Sequence, residues 1–360
     1  MMLRESFGLQ ISDTLRLLLA CAVGSVGPGD GAPDWDHFLT LVRYHRLTPQ
    51  AADALSGRSD VPAPITRALT REVRSAAVSG LQQAAELAQV AEVLDAAGIP
   101  LLALKGPVES ILCRGALGHR PAVDIDVFVP PEAATRTLLA LRQSGWDILP
   151  NSDTNRALHA RRDYHCELRR GTHGPRVELH WRLLRIHADY PLTVVDALAI
   201  AEPLELAGRV VRTLPLAHRI LYLCAHGSHH FWDRASRLLD ISLYLRHGLP
   251  PEVEPLALRM GLERPLLLSV HLAHHLLGAP VPAWLERART PGTGVTKLAA
   301  RALARWDRVS PSPGNSFARW ERLSYALALH PPGVGRFNAL GERLWRKLAP
   351  GQALGEEMAV

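Results

Sequence analysis

The 360-residue chain is short of three things. It has four cysteines, Cys21, Cys113, Cys166 and Cys224, all far apart, with no Cys-x-x-Cys pair. That spacing argues against a zinc ribbon and against a disulfide framework, and the chain reads as cytoplasmic with reduced thiols. It has three lysines, Lys105, Lys297 and Lys347, so nearly all of its 41 basic residues are arginines. They are scattered rather than gathered in a block. The formal net charge of +6 therefore favours anionic partners such as phosphates or nucleotides without demanding nucleic acid. Long apolar runs are also missing. "LRLLLACAVG", residues 15–24, is short and contains Arg16, so it reads as an amphipathic helix, not a leader, and no segment is long enough to span a membrane. No Gly-x-Gly-x-x-Gly follows a strand, and there is no P-loop and no Gly-x-Ser-x-Gly. These absences weaken dinucleotide oxidoreductase, P-loop ATPase and serine hydrolase readings.

What is present is a normal globular composition, 47% apolar, organised as helices, then a compact mixed segment, then helices. Helical spacing runs over residues 11–23, after Asp34 as a cap, and from Pro64 to Ala97 with Gly98 beyond the end. The period then shortens. "IPLLALKG" reads as a strand ending in Lys105-Gly106, "PVESILCRGAL" as a helix, "VDIDVFV" as a strand, and "AATRTLLALRQSG" as a helix entered at Pro131 and left at Gly145. "WDIL" is a short strand. "DYHCELRR" and "RVELHWRL", around the turn "GTHG", form a hairpin. From about residue 192 the spacing is helical again, including "AHRILYLCAHGSHHFWDRASRLLDISLYLRHG" as one stretch. The expected class is α+β, a small mixed β-sheet core flanked by N-terminal and C-terminal helical regions. The expected boundaries are 1–90, 91–190 and 191–360, with an active site between the sheet and the C-terminal helices.

The chemistry concentrates in "RPAVDIDVFV", Arg120–Val129. Alternation puts Asp124 and Asp126 on one strand face, roughly 6.6 Å apart along the strand, with Ile125 and Val127 turned to a core. Two carboxylates this close repel unless a cation neutralises them, and Mg2+ (or Mn2+) with nucleotide phosphates is the natural cation. The alternative is an edge strand with its acids in water. Glu178 in "RVELHWRL" supplies a third carboxylate, and His180 shares its face as a partner or substrate contact. Lys105 offers an ammonium to a phosphate, Gly106 lets the backbone approach one, and Arg120 either reaches a triphosphate or braces the carboxylates. The blander reading of Lys105 is a surface residue beside a turn. The sets His226, His229, His230 and His271, His274, His275 each share a helix face. Without ligand-spaced Cys or acid they read as helix packing or substrate-side groups rather than zinc sites. Trp181 is either core or a stacking surface for a base.

Together "LLALKG", "RPAVDIDVFV" and "RVELHW" resemble the nucleotidyltransferase superfamily that includes DNA polymerase beta and the aminoglycoside nucleotidyltransferases. More closely they resemble a bacterial family known only as uncharacterised nucleotidyltransferases, over about residues 35–285. The likeness extends to the His, Trp and Asp pattern of "LCAHGSHHFWDRASRLLDISLYL", where His226 and Asp240 match best. The chain departs from many superfamily members in carrying Lys105-Gly106 where they carry Gly-Ser. The resemblance implies that Asp124, Asp126 and Glu178 are the catalytic metal carboxylates and that Lys105 and Gly106 meet the nucleotide phosphates. Residues 91–190 would be the nucleotidyltransferase core. The implied activity is metal-dependent transfer of a nucleoside monophosphate from an NTP to an unidentified small-molecule, peptide or protein acceptor. A nucleic-acid acceptor is the less favoured partner. The competing reading is a non-catalytic nucleotide- or partner-binding module of the same fold.

Overall fold

The structure is a computed structural model that describes residues 11–27, 33–149, 165–307 and 319–330, with 336–338, 340, 341 and 344. In chain order the helices before the sheet are α1 (Asp13–Ala22), α2 (Trp35–His45), α3 (Thr48–Leu55) and α4 (Ala63–Ala96). The central segment holds β1 (Leu102–Leu104), α5 (Gly106–Leu112), β2 (Asp124–Phe128), α6 (Ala134–Gln143), β3 (Trp146–Ile148), β4 (His165–Arg170) and β5 (Arg176–His180). Then come α7 (Val194–Ala199), β6 (Glu202–Leu206), β7 (Arg209–Thr213), α8 (Leu216–His229), α9 (Ala235–His247), α10 (Val253–Arg259), α11 (Glu263–Leu277), α12 (Thr293–Leu303) and α13 (Arg319–Leu329). This is the expected α+β class. Helix ends follow their sequence signals: Ser12 caps α1 by accepting from Leu15 N–H, and Asp34 caps α2 by accepting from Asp36 and His37 N–H.

The chain divides into two compact units. One holds the residues up to Ala77, His119–Pro121 and Ile220–Arg336; the other holds Val78–Gly118, Ala122–Arg219 and the described residues from Phe337 on. The division falls inside α4.

In the sheet-bearing unit the strand order is β1-β2-β5-β4-β3. β2 and β5 are parallel and every other pair is antiparallel, so the sheet is mixed. Alternation gives it two unlike faces. Ala103, Ile125, Val127, Val177, Leu179, Cys166, Leu168 and Trp146 form one face, and they pack with Leu87, Val90 and Leu94 of α4 and Leu138 and Leu141 of α6. At about 25 cal/mol per Å² of apolar area, burying this face is the main force fixing the register, because a one-residue slip would turn all of it outward. Trp146 donates its indole N–H to Glu86 at 2.7 Å. Trp181 belongs to this core, 1% exposed, so it is the packing residue of the two readings and not a platform for a base.

Two features differ from the sequence-based expectation. Residues 202–213, expected in a helical region, form the hairpin β6–β7, closed by Ala207-Gly208 with both φ positive. Leu206 and Val211 carry it into the sheet's core. In the other unit the single helical stretch expected over "AHRIL…LRHG" is broken into α8 and α9, because Phe231 and Trp232 take positive φ. The Trp232 ring lies over Gly227, where a Cβ would come within 2.4 Å of it, so Gly227 is the residue that makes room for the break. The N-terminal part of the expected "DYHCELRR" strand, Asp163 and Tyr164, and the start of the chain lie outside the described residues. No helix among the described residues is long and apolar enough to cross a membrane, and all four cysteines are buried and unbridged.

Candidate active site

The second face of the sheet is polar, and the register arranges it in rows. Asp126 of β2 lies beside Glu178 of β5, and Glu178 opposite Glu167 of β4. One step along, Phe128, His180 and His165 line up across the same three strands. One step the other way come Asp124, Arg176 and Arg169. Side chains of one row share a face because successive residues alternate.

The acid row is tightly engaged. Lys105 Nζ lies 2.7 Å from Asp126 Oδ1, and His180 Nε2 lies 3.1 Å from the same oxygen and 3.4 Å from Glu178 Oε2. Burial pushes the Asp126 carboxyl up, but the Lys105 ammonium and the His180 hydrogen bond outweigh it and hold the group well below the usual carboxylate range. Burial would raise Glu178, and so does the neighbouring Asp126 charge, but the His180 ring beside it lowers it on balance; burial would lower His180, and Asp126 and then Glu178 facing the ring raise it on balance. His180 stacks between Phe128, 4.7 Å away at 19°, and His165, 5.1 Å away at 20°. Burial, and then the neighbouring His180 charge, bring His165 down to about 4. The stack fixes the His180 ring plane and aims its Nε2 at the two acids.

Lys105 reaches Asp126 from an unusual backbone. Its φ of 61° and ψ of −152° lie in a region occupied almost only by glycine, a strain of about 1–3 kcal/mol that persists only where the surroundings impose it. Gly106 follows with φ +39°, and a Cβ there would touch the Asp124 carbonyl oxygen at 3.4 Å. The turn out of β1 thus packs against the backbone of β2 and delivers the ammonium to the carboxylates.

Among the described residues, two groups of side chains could hold a metal ion: Asp126, Glu178 and His180, and His165, Glu167 and Glu178. Their ligand atoms lie within 4.8 Å of one another, and Glu178 belongs to both. Asp124 shares the face but lies in neither group. The structure therefore brings together Asp126, Glu178, His180 and Lys105. Arg120 donates from Nε to Asp240 at 2.8 Å, in the helical unit. His165, Glu167, Arg169 and Arg176 were missed by the sequence reading. They were findable, since alternation around "GTHG" in "HCELRRGTHGPRVELH" places all four on the Glu178 face once Cys166, Leu168 and Val177 are turned inward.

The two outer histidine sets are in neither metal-capable group. His271, His274 and His275 bond the carbonyl oxygens of Ala288, Ala279 and Arg289 at 3.0, 2.8 and 3.2 Å, which ties α11 to the segment after it. The His226 and His230 rings lie 4.5 Å apart, tilted by 51°.

A mixed sheet with an apolar face against helices and a Lys–Asp–His–Glu cluster on the other defines an α+β protein with a candidate cation- and phosphate-handling site. The family model described as uncharacterised nucleotidyltransferase matches residues 31–278, about two-thirds of the chain, and the chain belongs to that family. Comparison with curated proteins gives no match, and comparison with solved structures gives none.

Proposed function

We propose that the protein is a metal-dependent nucleotidyltransferase of the polymerase beta-like superfamily, moving a nucleoside monophosphate from an NTP to a hydroxyl of a small molecule, peptide or protein. The observation that carries this is the Asp126–Glu178–His180–Lys105 cluster on the polar face of the sheet, in a chain of a nucleotidyltransferase family. The donor set suits a hard divalent cation: two carboxylates of neighbouring strands, with Asp124 two residues along. When bound, Mg2+ or Mn2+ would neutralise the triphosphate and lower the pKa of the acceptor hydroxyl.

The chain's own groups do the rest. Asp126 and Glu178 would hold the cation, with Asp124 on the same face, and His180 keeps both carboxylates oriented. Lys105 offers its ammonium to a phosphate oxygen, and Gly106 leaves the backbone open beside it. The acceptor oxygen bonds to the α-phosphorus as the bond to the α,β-bridging oxygen breaks. Glu178 takes the hydroxyl proton, and pyrophosphate leaves. The Lys105–Asp126 ion pair also favours a second reading, a nucleotide-binding module without turnover, because the cluster is neutralised by its own members.

The test is calorimetric titration of each NTP with Mg2+ into the wild type and into the Asp124→Asn/Asp126→Asn variant. Mg2+-dependent binding that the variant loses supports the site. Binding without any pyrophosphate release, across an acceptor screen, selects the module. No binding to the wild type sinks both.

A further inference from the structure

The row of the sheet that begins at Asp124 carries, on β5 and β4, a feature that the transfer reading leaves unused. Arg169 of β4 and Arg176 of β5 stand directly opposite each other. Like charges so placed in an antiparallel pair repel. Arg176 Nη1 meets Glu167 at 3.2 Å, and Arg169 Nη1 meets the Thr172 carbonyl at 3.5 Å. The Nε–H groups of both are buried with no hydrogen-bond acceptor. An unmet buried donor is costly, and two on facing arginines are satisfied together by one oxyanion, which a guanidinium binds through paired N–H groups. The Arg176 side chain is 33% exposed, so it meets solvent even though the Nε atoms of both arginines are buried.

Position decides which anion. Across the sheet the order is β1, β2, β5, β4. Lys105, at the end of β1, lies to one side of Asp126 and Glu178; Arg169 of β4 lies to the other, facing Arg176, which stands two residues before Glu178 and beside Asp124. In-line displacement at the α-phosphorus puts the leaving pyrophosphate and the attacking oxygen on opposite sides. With Lys105 on the pyrophosphate side, the arginines fall on the side of attack. We infer that Arg169 and Arg176 bind an anionic group, phosphate or carboxylate, of the acceptor, so that the acceptor class is an anionic hydroxyl compound. The role as acceptor site rests on the transfer reading; the anion site itself does not.

The test uses the full chain in metal-free buffer, titrated with inorganic phosphate and, separately, acetate, and then with Mg2+-ATP. Wild type, Arg169→Gln/Arg176→Gln and Lys105→Gln are compared, with thermal unfolding to establish that each is folded. The expected result is oxyanion affinity about tenfold or more weaker in the arginine variant, nearly unchanged in Lys105→Gln, with Mg2+-ATP affinity kept within about threefold in the arginine variant. Tighter phosphate than acetate binding points to a phosphorylated acceptor, and the reverse to a carboxylate. Oxyanion affinity unchanged in the arginine variant, or no oxyanion binding to the wild type, overturns the site. Loss of Mg2+-ATP affinity equal to the loss of phosphate affinity overturns the acceptor assignment, since the arginines would then hold the triphosphate. A wild type that binds phosphate but no Mg2+-NTP sinks the transfer reading and leaves the anion site standing.

Discussion

Among the described residues, two of the buried acid–base pairs have nearly equal dimensions and opposite design. In the helical unit Arg120 and Asp240 meet at 2.8 Å, with side chains 12% and 1% exposed. In the sheet unit Lys105 and Asp126 meet at 2.7 Å, 13% and 4% exposed. The first joins a segment of three residues to α9. The second sits among His180, Glu178 and, one strand further, Glu167 and His165, so its members have alternative partners within a few ångströms. A buried pair with one arrangement specifies structure; a buried cluster with several can exchange a proton or an ion and remain satisfied. Distance and burial alone do not separate the two cases. The neighbours do.

The largest effect should come from the open cluster. Asp126→Asn is expected to lower the rate of pyrophosphate release at least about a thousandfold, near 4 kcal/mol of transition-state stabilisation, while thermal unfolding shows a folded protein. Near-wild-type turnover in that variant would remove Asp126 from the chemistry. The closed pair should answer the other way round. Asp240→Asn removes a buried carboxylate charge from Arg120 and should lower stability by about 1 kcal/mol or more, read from urea midpoints, with turnover per folded molecule unchanged. If Arg120→Gln instead raised the NTP KM in a stable protein, the contrast would collapse and Arg120 would return to the nucleotide.

Histidines extend the same contrast to pH. His45, fully buried in the helical unit, meets the Trp306 carbonyl oxygen from Nε2 at 2.9 Å and accepts the Ala235 N–H at Nδ1, 3.1 Å. A ring using Nδ1 as acceptor must be neutral, and burial holds its pKa down to about 4. The unfolded chain therefore takes up this proton from about pH 6.5 downward while the folded protein refuses it until about pH 4. Stability is full above pH 6.5 and declines toward pH 4, by roughly 3 kcal/mol for this group. His180 shifts in the opposite direction because two carboxylates face it. Urea midpoints measured from pH 7 to pH 4 should fall less steeply in His45→Gln than in the wild type; parallel curves would contradict the neutral-ring assignment.

Much of this was written in the sequence where a short period could carry it. Asp126 and Glu178 were legible because polar residues at every second position of an apolar strand have one structural meaning. The hairpin row of His165, Glu167, Arg169 and Arg176 needed the pairing register as well, which a four-residue turn sets but a single strand does not. The β6–β7 hairpin escaped because its five-residue strands expose most of their side chains and alternate weakly. The break between α8 and α9 escaped for a tertiary reason: it depends on Trp232 closing over Gly227, a contact with no local propensity behind it. The partner of Arg120 escaped because Asp240 is 120 residues away and no period links them.

The smallest prediction separates charge from backbone within the open cluster. Lys105 stands at φ 61°, ψ −152°, where glycine is at ease and lysine is not. Lys105→Met and Lys105→Gly both remove the ammonium from Asp126, and both should raise the NTP KM about tenfold if that ammonium meets a phosphate. Only the glycine relieves the backbone. Strain of about 1–3 kcal/mol is offset by the greater unfolded-state freedom of glycine, roughly 0.5–1 kcal/mol, so Lys105→Gly should be the more stable of the two by about 1 kcal/mol. Since the lost ion pair is common to both variants, the difference in their urea midpoints reads the backbone alone. Equal midpoints would mean that the strain only matches the entropic cost of glycine, and a less stable glycine variant would mean that the turn is not strained. A glycine variant more stable than the wild type would mean that the strain outweighs the ion pair, and that the lysine is kept at this position for what its ammonium does to a ligand.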